Sequence, residues 1–173
     1  AYHHLPDLTA EVLSNGAFKT GDLGYIDEDG YLFLTGRVKE QFKLENGKYV
    51  VPGALEEKLK TSPHIEHAVI FGAGKPYNVV LVRPSDDFVD QFIAQNKGAV
   101  DRSNLERDAS FNAAVFEEIQ KMGKDFRGYE RPQKIAITLD EFSIDNGLLT
   151  PALKLKRYAI EKKYKKRLNA LYD

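Results

Sequence analysis

Short apolar runs, separated by polar segments, recur through the middle of this chain. The runs at residues 65–71, 79–82 and 134–139 predict buried strands. Between the second and third runs, the pattern predicts helices over residues 87–95 and 111–124. Apolar residues of the second helix recur three or four positions apart: Phe111, Val115, Ile119 and Met122.

Turn-forming residues divide the region before these strands into hairpins. Residues 25–34 predict two short strands around a turn of acidic residues and glycine. Asn46-Gly47 lies between two apolar runs and predicts a second hairpin, because both residue types tolerate a positive φ. Pro52 then begins a helix near residues 54–60. Strand pairs mixed with helices predict an α+β fold.

The end of the chain predicts a basic helix. Thr150 is a good helix cap and Pro151 a good first residue, so we expect the helix to begin there. Residues 154–167 contain eight lysines or arginines and one acid, Glu161. Three interpretations stay open, namely a solvated face, contact with ligand phosphates, and attraction to an anionic membrane. The apolar face of this helix comprises Leu155, Ala159, Tyr164, Leu168 and Leu171.

Composition narrows the class of protein. The length of 173 residues suits one domain with room for an appendage, and 42% hydrophobic and 29% charged residues are typical of a soluble globular protein. Cysteine is absent, which excludes disulfides and thiolate chemistry and suits a cytoplasmic location. The net charge of −1 gives no bias toward nucleic acid. No apolar run approaches the roughly 18 residues of a membrane span, and the first residues lack the form of a signal peptide.

Two polar side chains near the start have the chemistry to hold a sugar or phosphate. Asp22 lies between Gly21 and Gly24, and a carboxylate can accept two hydrogen bonds from a ribose diol. Arg37 follows Gly36, and its planar fork of donors suits ribose oxygens or a phosphate. The alternatives are a turn aspartate bonded to its own backbone and an exposed arginine at a strand end.

Two other signals are rejected. The segment GAGKP (residues 72–76) resembles a phosphate loop, but Val69 replaces the required first glycine and Pro76 the required hydroxyl. We interpret it as a strand exit. His64 and His67 have no further ligands nearby in sequence, so they predict no metal site.

Three segments together resemble the carboxyl-terminal motifs of acyl-adenylate-forming enzymes, most closely long-chain fatty acyl-CoA synthetases. They are FKTGDLG (residues 18–24), GRVKEQFKL (36–44) and LLTPALKLKR (148–157). The resemblance implies a small lid domain, consisting of a β-hairpin and a small sheet with flanking helices, preceded by the last strands of a large domain. It implies that residues 1–36 belong to the large AMP-binding domain and residues 37–173 to the mobile one.

The resemblance also assigns roles to residues of the first two segments and of the hairpin that follows them. Asp22 and Arg37 would bind the nucleotide, and Lys39 would be the hinge. Lys43 would enter the site for the second half-reaction, as in some members of the family. Gly47, or the residue beside it, would line the channel for the pantetheine arm of CoA. Without the family, Gly47 is simply part of a tight turn and Lys39 a surface residue.

Lys154 is the principal candidate for catalysis. The family's near-terminal catalytic lysine aligns with it, and a positioned ammonium stabilises a transition state in which a carboxylate meets the α-phosphate of ATP. Lys156 and Arg157 are near enough to be mistaken for it. Outside the family context, a lysine in a basic helix is most often solvated.

The resemblance implies an acid–thiol ligase that uses fatty acid, ATP and CoA. The phosphate loop, the acyl pocket and the Mg²⁺ ligands would lie upstream, so we expect this fragment to be inactive without the missing amino-terminal domain. Two alternatives stay open. One is a non-catalytic module that binds a nucleotide or CoA, and the other is an adenylating enzyme that loads a carrier protein.

Overall fold

The computed structural model describes residues 2–96 and 100–173. The helices are α1 (Pro6–Val12), α2 (Pro52–Leu59), α3 (Asp86–Gln95), α4 (Ala109–Met122) and α5 (Arg157–Asn169). The strands are β1 (Leu13–Ser14), β2 (Ala17–Phe18), β3 (Asp22–Ile26), β4 (Leu32–Arg37), β5 (Phe42–Lys43), β6 (Tyr49–Val50), β7 (Ile65–Phe71), β8 (Val79–Pro84) and β9 (Lys134–Ile137). In this part of the chain, no helix is long and apolar enough to cross a membrane.

A three-stranded sheet, in the order β7-β8-β9, forms the centre of the larger part of the molecule. β7 and β8 are antiparallel, whereas β8 and β9 are parallel and connected through α3 and α4. The remaining strands form three separate antiparallel pairs, β1-β2, β3-β4 and β5-β6. The strands predicted from apolar runs are confirmed, and so is the α+β class.

Both faces of the central sheet are buried, because alternate residues of each strand point to opposite sides. Ala68, Ile70 and Val80 pack with residues of α2, α3 and α4 on one face. Val69 and Leu81 pack on the other face against α5 and the segment before it. The buried side chains that α5 contributes are Ile160, Tyr164 and Leu168.

The first part of the chain differs from the rest in burial. No residue between 2 and 38 is buried. β3 and β4 pair over their whole length with one bulge, between Leu23 and Gly24, yet their apolar side chains lie largely exposed to solvent. The large apolar residues exposed in these two strands and the turn between them are Tyr25, Ile26, Tyr31, Leu32, Phe33 and Leu34. This segment therefore has no hydrophobic core of its own.

The predicted start of the last helix is wrong. α5 begins at Arg157, whereas residues 150–153 form a tight turn in which the Leu153 amide donates to the Thr150 carbonyl at 2.8 Å. Leu153 has a φ of +56°, which an α-helix does not allow. Leu149 and Leu155 pair across the turn as an antiparallel bridge. Lys154 consequently lies three residues before the helix, and not in its first turn.

Candidate functional site

The β3-β4 ladder places Asp22 and Arg37 directly opposite each other. Arg37 Nε lies 2.8 Å from Asp22 Oδ1, and Arg37 Nη1 donates to the Thr20 carbonyl at 3.4 Å. The Asp22 side chain is 25% exposed and that of Arg37 is 54% exposed. The two candidates for nucleotide binding are thus neighbours, and a ligand could reach both. In this structure they hold each other in a surface ion pair, a contact that contributes little to stability by itself.

Two glycines allow β3 and β4 to adopt this arrangement. A Cβ on Gly36 would lie 2.2 Å from Val51 Cγ1, and its φ is +156°. A Cβ on Gly24, at a bulge in the ladder, would lie 2.5 Å from the Phe33 carbonyl oxygen. Only glycine fits at Gly36, where the end of β4 passes close to the start of α2.

Lys39 lies in a single turn of 3₁₀-helix, Val38–Glu40, which connects β4 to β5. The turn is closed by the Gln41 amide, which donates to the Arg37 carbonyl at 3.2 Å. The Val38 amide donates to the Gly21 carbonyl at 2.9 Å. Every residue of the turn is exposed, so rotation here would disrupt no buried packing. We call residues 38–40 the hinge turn.

The β5-β6 hairpin brings Lys43 and Gly47 together. Gly47 has a φ of +85°, and its amide donates to the Leu44 carbonyl at 3.0 Å. Lys43 Cε lies 3.7 Å from the position that a Cβ on Gly47 would occupy. Lys43 Nζ is 5.6 Å from the centre of the Tyr49 ring. The tip of the hairpin thus presents backbone with little side-chain bulk beside an exposed lysine.

A loop that the sequence analysis interpreted only as a strand exit supports this hairpin. The Gly74 amide donates to the Lys43 carbonyl at 2.9 Å, and the Glu45 amide donates to the Lys75 carbonyl at 3.0 Å. A Cβ on Gly72 would lie 2.4 Å from Asn78 Oδ1. The two glycines of GAGKP were the signal for this docking role, because Gly72 permits a close approach and Gly74 adopts a positive φ of +65°.

Lys154 lies in an ordered turn that we call the lysine loop, residues 149–156. The Thr150 amide donates to the Lys154 carbonyl at 2.8 Å, and the Lys154 amide donates to the Thr150 hydroxyl at 3.1 Å. The Lys156 amide donates to the Leu148 carbonyl at 2.8 Å. The Lys154 side chain is exposed, and no ion pair within residues 2–96 and 100–173 joins it to the other candidates.

A cavity of about 420 Å³ lies between the hinge turn and α5. Apolar Phe42 and Phe71 line it together with the charged residues Lys39 and Lys165. Burial raises the pKa of Tyr172, another lining residue, to about 12. No local sequence pattern predicts this cavity, because its walls come from segments far apart in the chain.

Comparison with known proteins assigns this arrangement to a family. The AMP-binding enzyme C-terminal domain family matches residues 39–173. The chain belongs to this family. Its small α+β architecture is the carboxyl-terminal fold of adenylate-forming enzymes, as the sequence motifs predicted.

Two curated relatives illustrate the likeness. The chain is 33% identical over 167 residues to the long-chain-fatty-acid–CoA ligase FadD15 of Mycobacterium tuberculosis, covering 95% of this chain and 28% of the relative. It is 31% identical over 175 residues to fatty acyl-CoA synthetase B of Dictyostelium discoideum, covering 99% and 26%. The chain therefore spans about a quarter of the length of the curated relatives that it matches.

Solved adenylation domains have the same fold. The adenylation domain of a carboxylate reductase from Mycobacterium chelonae superposes with a TM-score of 0.81 at 25% identity, covering 99% of this chain and 26% of that one. The adenylation and carrier didomain of a carboxylic acid reductase from Segniliparus rugosus, in complex with AMP, gives a TM-score of 0.79 at 28% identity, covering 98% and 22%.

Proposed function

We propose that this chain is the carboxyl-terminal part of an ATP-dependent ligase that joins long-chain fatty acids to CoA. The observation that carries the proposal is the 33% identity, over nearly the whole chain, to a long-chain-fatty-acid–CoA ligase. Two features of the structure fit this role. The exposed Lys154 lies in an ordered loop, and the carboxylate of Asp22 lies beside the guanidinium of Arg37.

The proposed reaction has two steps. A carboxylate oxygen of the fatty acid attacks the α-phosphorus of ATP and pyrophosphate leaves, which gives the acyl-adenylate. The thiol of CoA then attacks the acyl carbon and AMP leaves. Asp22 and Arg37 hold the ribose and phosphate throughout, and Lys154 neutralises charge in the first step. Mg²⁺ would be held by ligands in the large domain and would neutralise charge on the phosphates.

The two steps need two positions of the small domain. We propose that residues 1–36 belong to the large domain and that residues 37–173 rotate about Lys39. The exposed apolar strands β3 and β4, and the absence of burial in residues 2–38, support this division. Rotation would replace Lys154 with the hairpin, placing Lys43 at the site and Gly47 beside the pantetheine arm.

Contact of α5 with CoA phosphates or with an anionic membrane, and a cytoplasmic location, stay predictions. The structure reduces the number of cations available for such contacts. Lys163 pairs with Asp140 at 2.8 Å and Arg167 with Glu106 at 3.1 Å. The exposed cations of α5 outside these pairs include Lys162, Lys165 and Lys166.

The decisive test is ATP–pyrophosphate exchange by the complete enzyme with a long-chain fatty acid. Lys154→Ala should lower exchange about 10²- to 10³-fold, the loss typical of one missing electrostatic contact in the transition state. Lys156→Ala is the matched control, because it removes a neighbouring exposed lysine, and it should stay near wild type. Equal loss in both variants, or no loss in Lys154→Ala, would contradict the assignment.

A second candidate acceptor follows from the solved relatives. The carboxylic acid reductase didomain joins an adenylation domain to a carrier protein. The acyl group of the acyl-adenylate could likewise pass to a carrier-bound thiol. Exchange without formation of acyl-CoA from free CoA would favour this acceptor. Binding of AMP or CoA by a folded enzyme that adenylates no carboxylate would favour a non-catalytic module instead.

A further inference from the structure

A single guanidinium connects three elements that are distant in sequence. Arg157, the first residue of α5, donates from Nη2 to both carboxylate oxygens of Glu56 at 2.8 and 2.6 Å. Its Nη1 donates to the Ile70 carbonyl at 2.7 Å. Glu56 Oε1 also accepts the Ile70 amide at 2.6 Å. We call these three residues the arginine clamp, and it links α2, β7 and the start of α5.

The clamp is mostly withdrawn from solvent. The Glu56 side chain is only 9% exposed and the Arg157 side chain 27%. Burial raises the pKa of Glu56, and the charge and hydrogen bonds of Arg157 act against that rise. A buried ion pair is often no more stabilising than apolar residues of the same shape, because desolvation offsets the attraction. What the clamp supplies beyond stability is fixed geometry, since both partners are held in directed hydrogen bonds.

The clamp lies at one end of the lysine loop. Arg157 follows the loop directly and is three residues from Lys154. The other end of the loop is anchored by the burial of Leu148 and Leu149 against the sheet. Between these anchors, residues 151–154 are exposed and held by hydrogen bonds within the loop. Without the clamp, the carboxyl end of the loop would lose its directed contacts with α2 and β7.

We propose that Arg157 is a positioning residue for Lys154, acting through Glu56 and Ile70 to fix the lysine loop for the adenylation step. The proposal rests on the proposed role of Lys154. It assigns no contact with substrate to Arg157. Displacement of a reacting group by about 1 Å can cost on the order of 10²-fold in rate, so a loose loop would affect the chemical step directly.

The test uses Arg157→Lys, which keeps the charge but lacks the fork needed to bond two oxygens of Glu56 and the Ile70 carbonyl together. In the complete enzyme, the kcat of ATP–pyrophosphate exchange should fall about 10- to 100-fold. The KM for ATP should stay near wild type. Conversion of supplied acyl-adenylate to thioester should also be unchanged, because Lys154 does not serve that step.

The same helix offers a matched control. Arg167 also joins a carboxylate, Glu106 at 3.1 Å, and a strand carbonyl, that of Ile137, but it lies far along α5 from the lysine loop. Arg167→Lys should lower the thermal midpoint without lowering the rate of ATP–pyrophosphate exchange. Glu56→Leu combined with Arg157→Met replaces the ion pair by apolar residues. This double variant should fold, and its ATP–pyrophosphate exchange should still be slow.

Amide hydrogen exchange in this chain provides a readout that does not need activity. In Arg157→Lys the amides of Lys154 and Lys156 should exchange faster, while in Arg167→Lys they should not. Unchanged loop protection, or an equal loss in both half-reactions, would overturn the proposal and leave the clamp a purely structural contact. Absence of ATP–pyrophosphate exchange in the wild-type enzyme with every carboxylate would instead refute the proposed function, while loop protection still reported on the clamp.

Discussion

His67 shows how packing changes a side chain that appears ordinary in the sequence. It belongs to β7 and stacks on Phe142, with the ring centres 5.3 Å apart. Its Nδ1 is buried and has no hydrogen-bond partner within the described residues. Burial lowers the pKa of His67, and the charge of Lys60 lowers it further. The rejection of His67 as a metal ligand gave no indication of this environment, because Phe142 is distant in sequence.

This shift predicts a pH dependence of stability. The folded pKa of His67 lies below its unfolded value of about 6.5, so the unfolded chain takes up the proton first. The contribution is therefore fully present above about pH 6.5 and is lost as the pH falls through the folded pKa. The thermal midpoint should fall between about pH 7 and pH 5, and His67→Gln should reduce that fall. His64→Gln is the control. An equal fall of the thermal midpoint with pH in both variants would contradict the assignment.

Elements were predictable where the local pattern was unambiguous. β7, β8 and β9 coincide with apolar runs, and α4 buries Phe111, Val115 and Ile119, which recur at helical spacing. The last helix was placed too early because Thr150-Pro151 also suits a tight turn. In that turn the Thr150 hydroxyl accepts the Lys154 amide and does not cap a helix. The positive φ of Leu153 is incompatible with an α-helix.

The lysine loop gives a prediction at the scale of one element. Thr150→Val keeps the shape of the side chain but removes the hydroxyl that accepts the Lys154 amide. One such hydrogen bond contributes about 1 kcal/mol, so ATP–pyrophosphate exchange should fall about fivefold. Thr150→Ser keeps the hydroxyl and should exchange like wild type. Similar rates in the valine and serine variants would show that the hydroxyl does not order the loop.

Across the whole molecule, the fold class and the motif positions followed from the sequence, but the contacts between distant segments did not. The arginine clamp, the cavity and the docking of the hairpin on residues 72–75 each join segments that no local pattern connects. Asp22 and Arg37 were linked only through the family resemblance, and the ladder explains why they are neighbours. The division into two domains stays a prediction, and it has a direct consequence for stability.

If residues 1–36 belong to a large domain, the described residues 2–36 should add little to the stability of the remainder. None of them is buried here, and the end of β4 meets the remainder where Gly36 lies close to Val51. A chain that starts at Arg37 should therefore keep its thermal midpoint within about 4 °C, the shift that corresponds to about 1 kcal/mol.

Removal of residues 157–173 is the contrasting deletion, because it takes away Ile160, Tyr164 and Leu168, which cover one face of the sheet. Each buried side chain of this kind contributes about 1.5–3 kcal/mol, so the shortened chain should not fold cooperatively. Circular dichroism during heating shows whether each of the two shortened chains unfolds cooperatively. If the chain starting at Arg37 unfolds like the second deletion, β3 and β4 belong to the small domain, and the boundary lies earlier than residue 36.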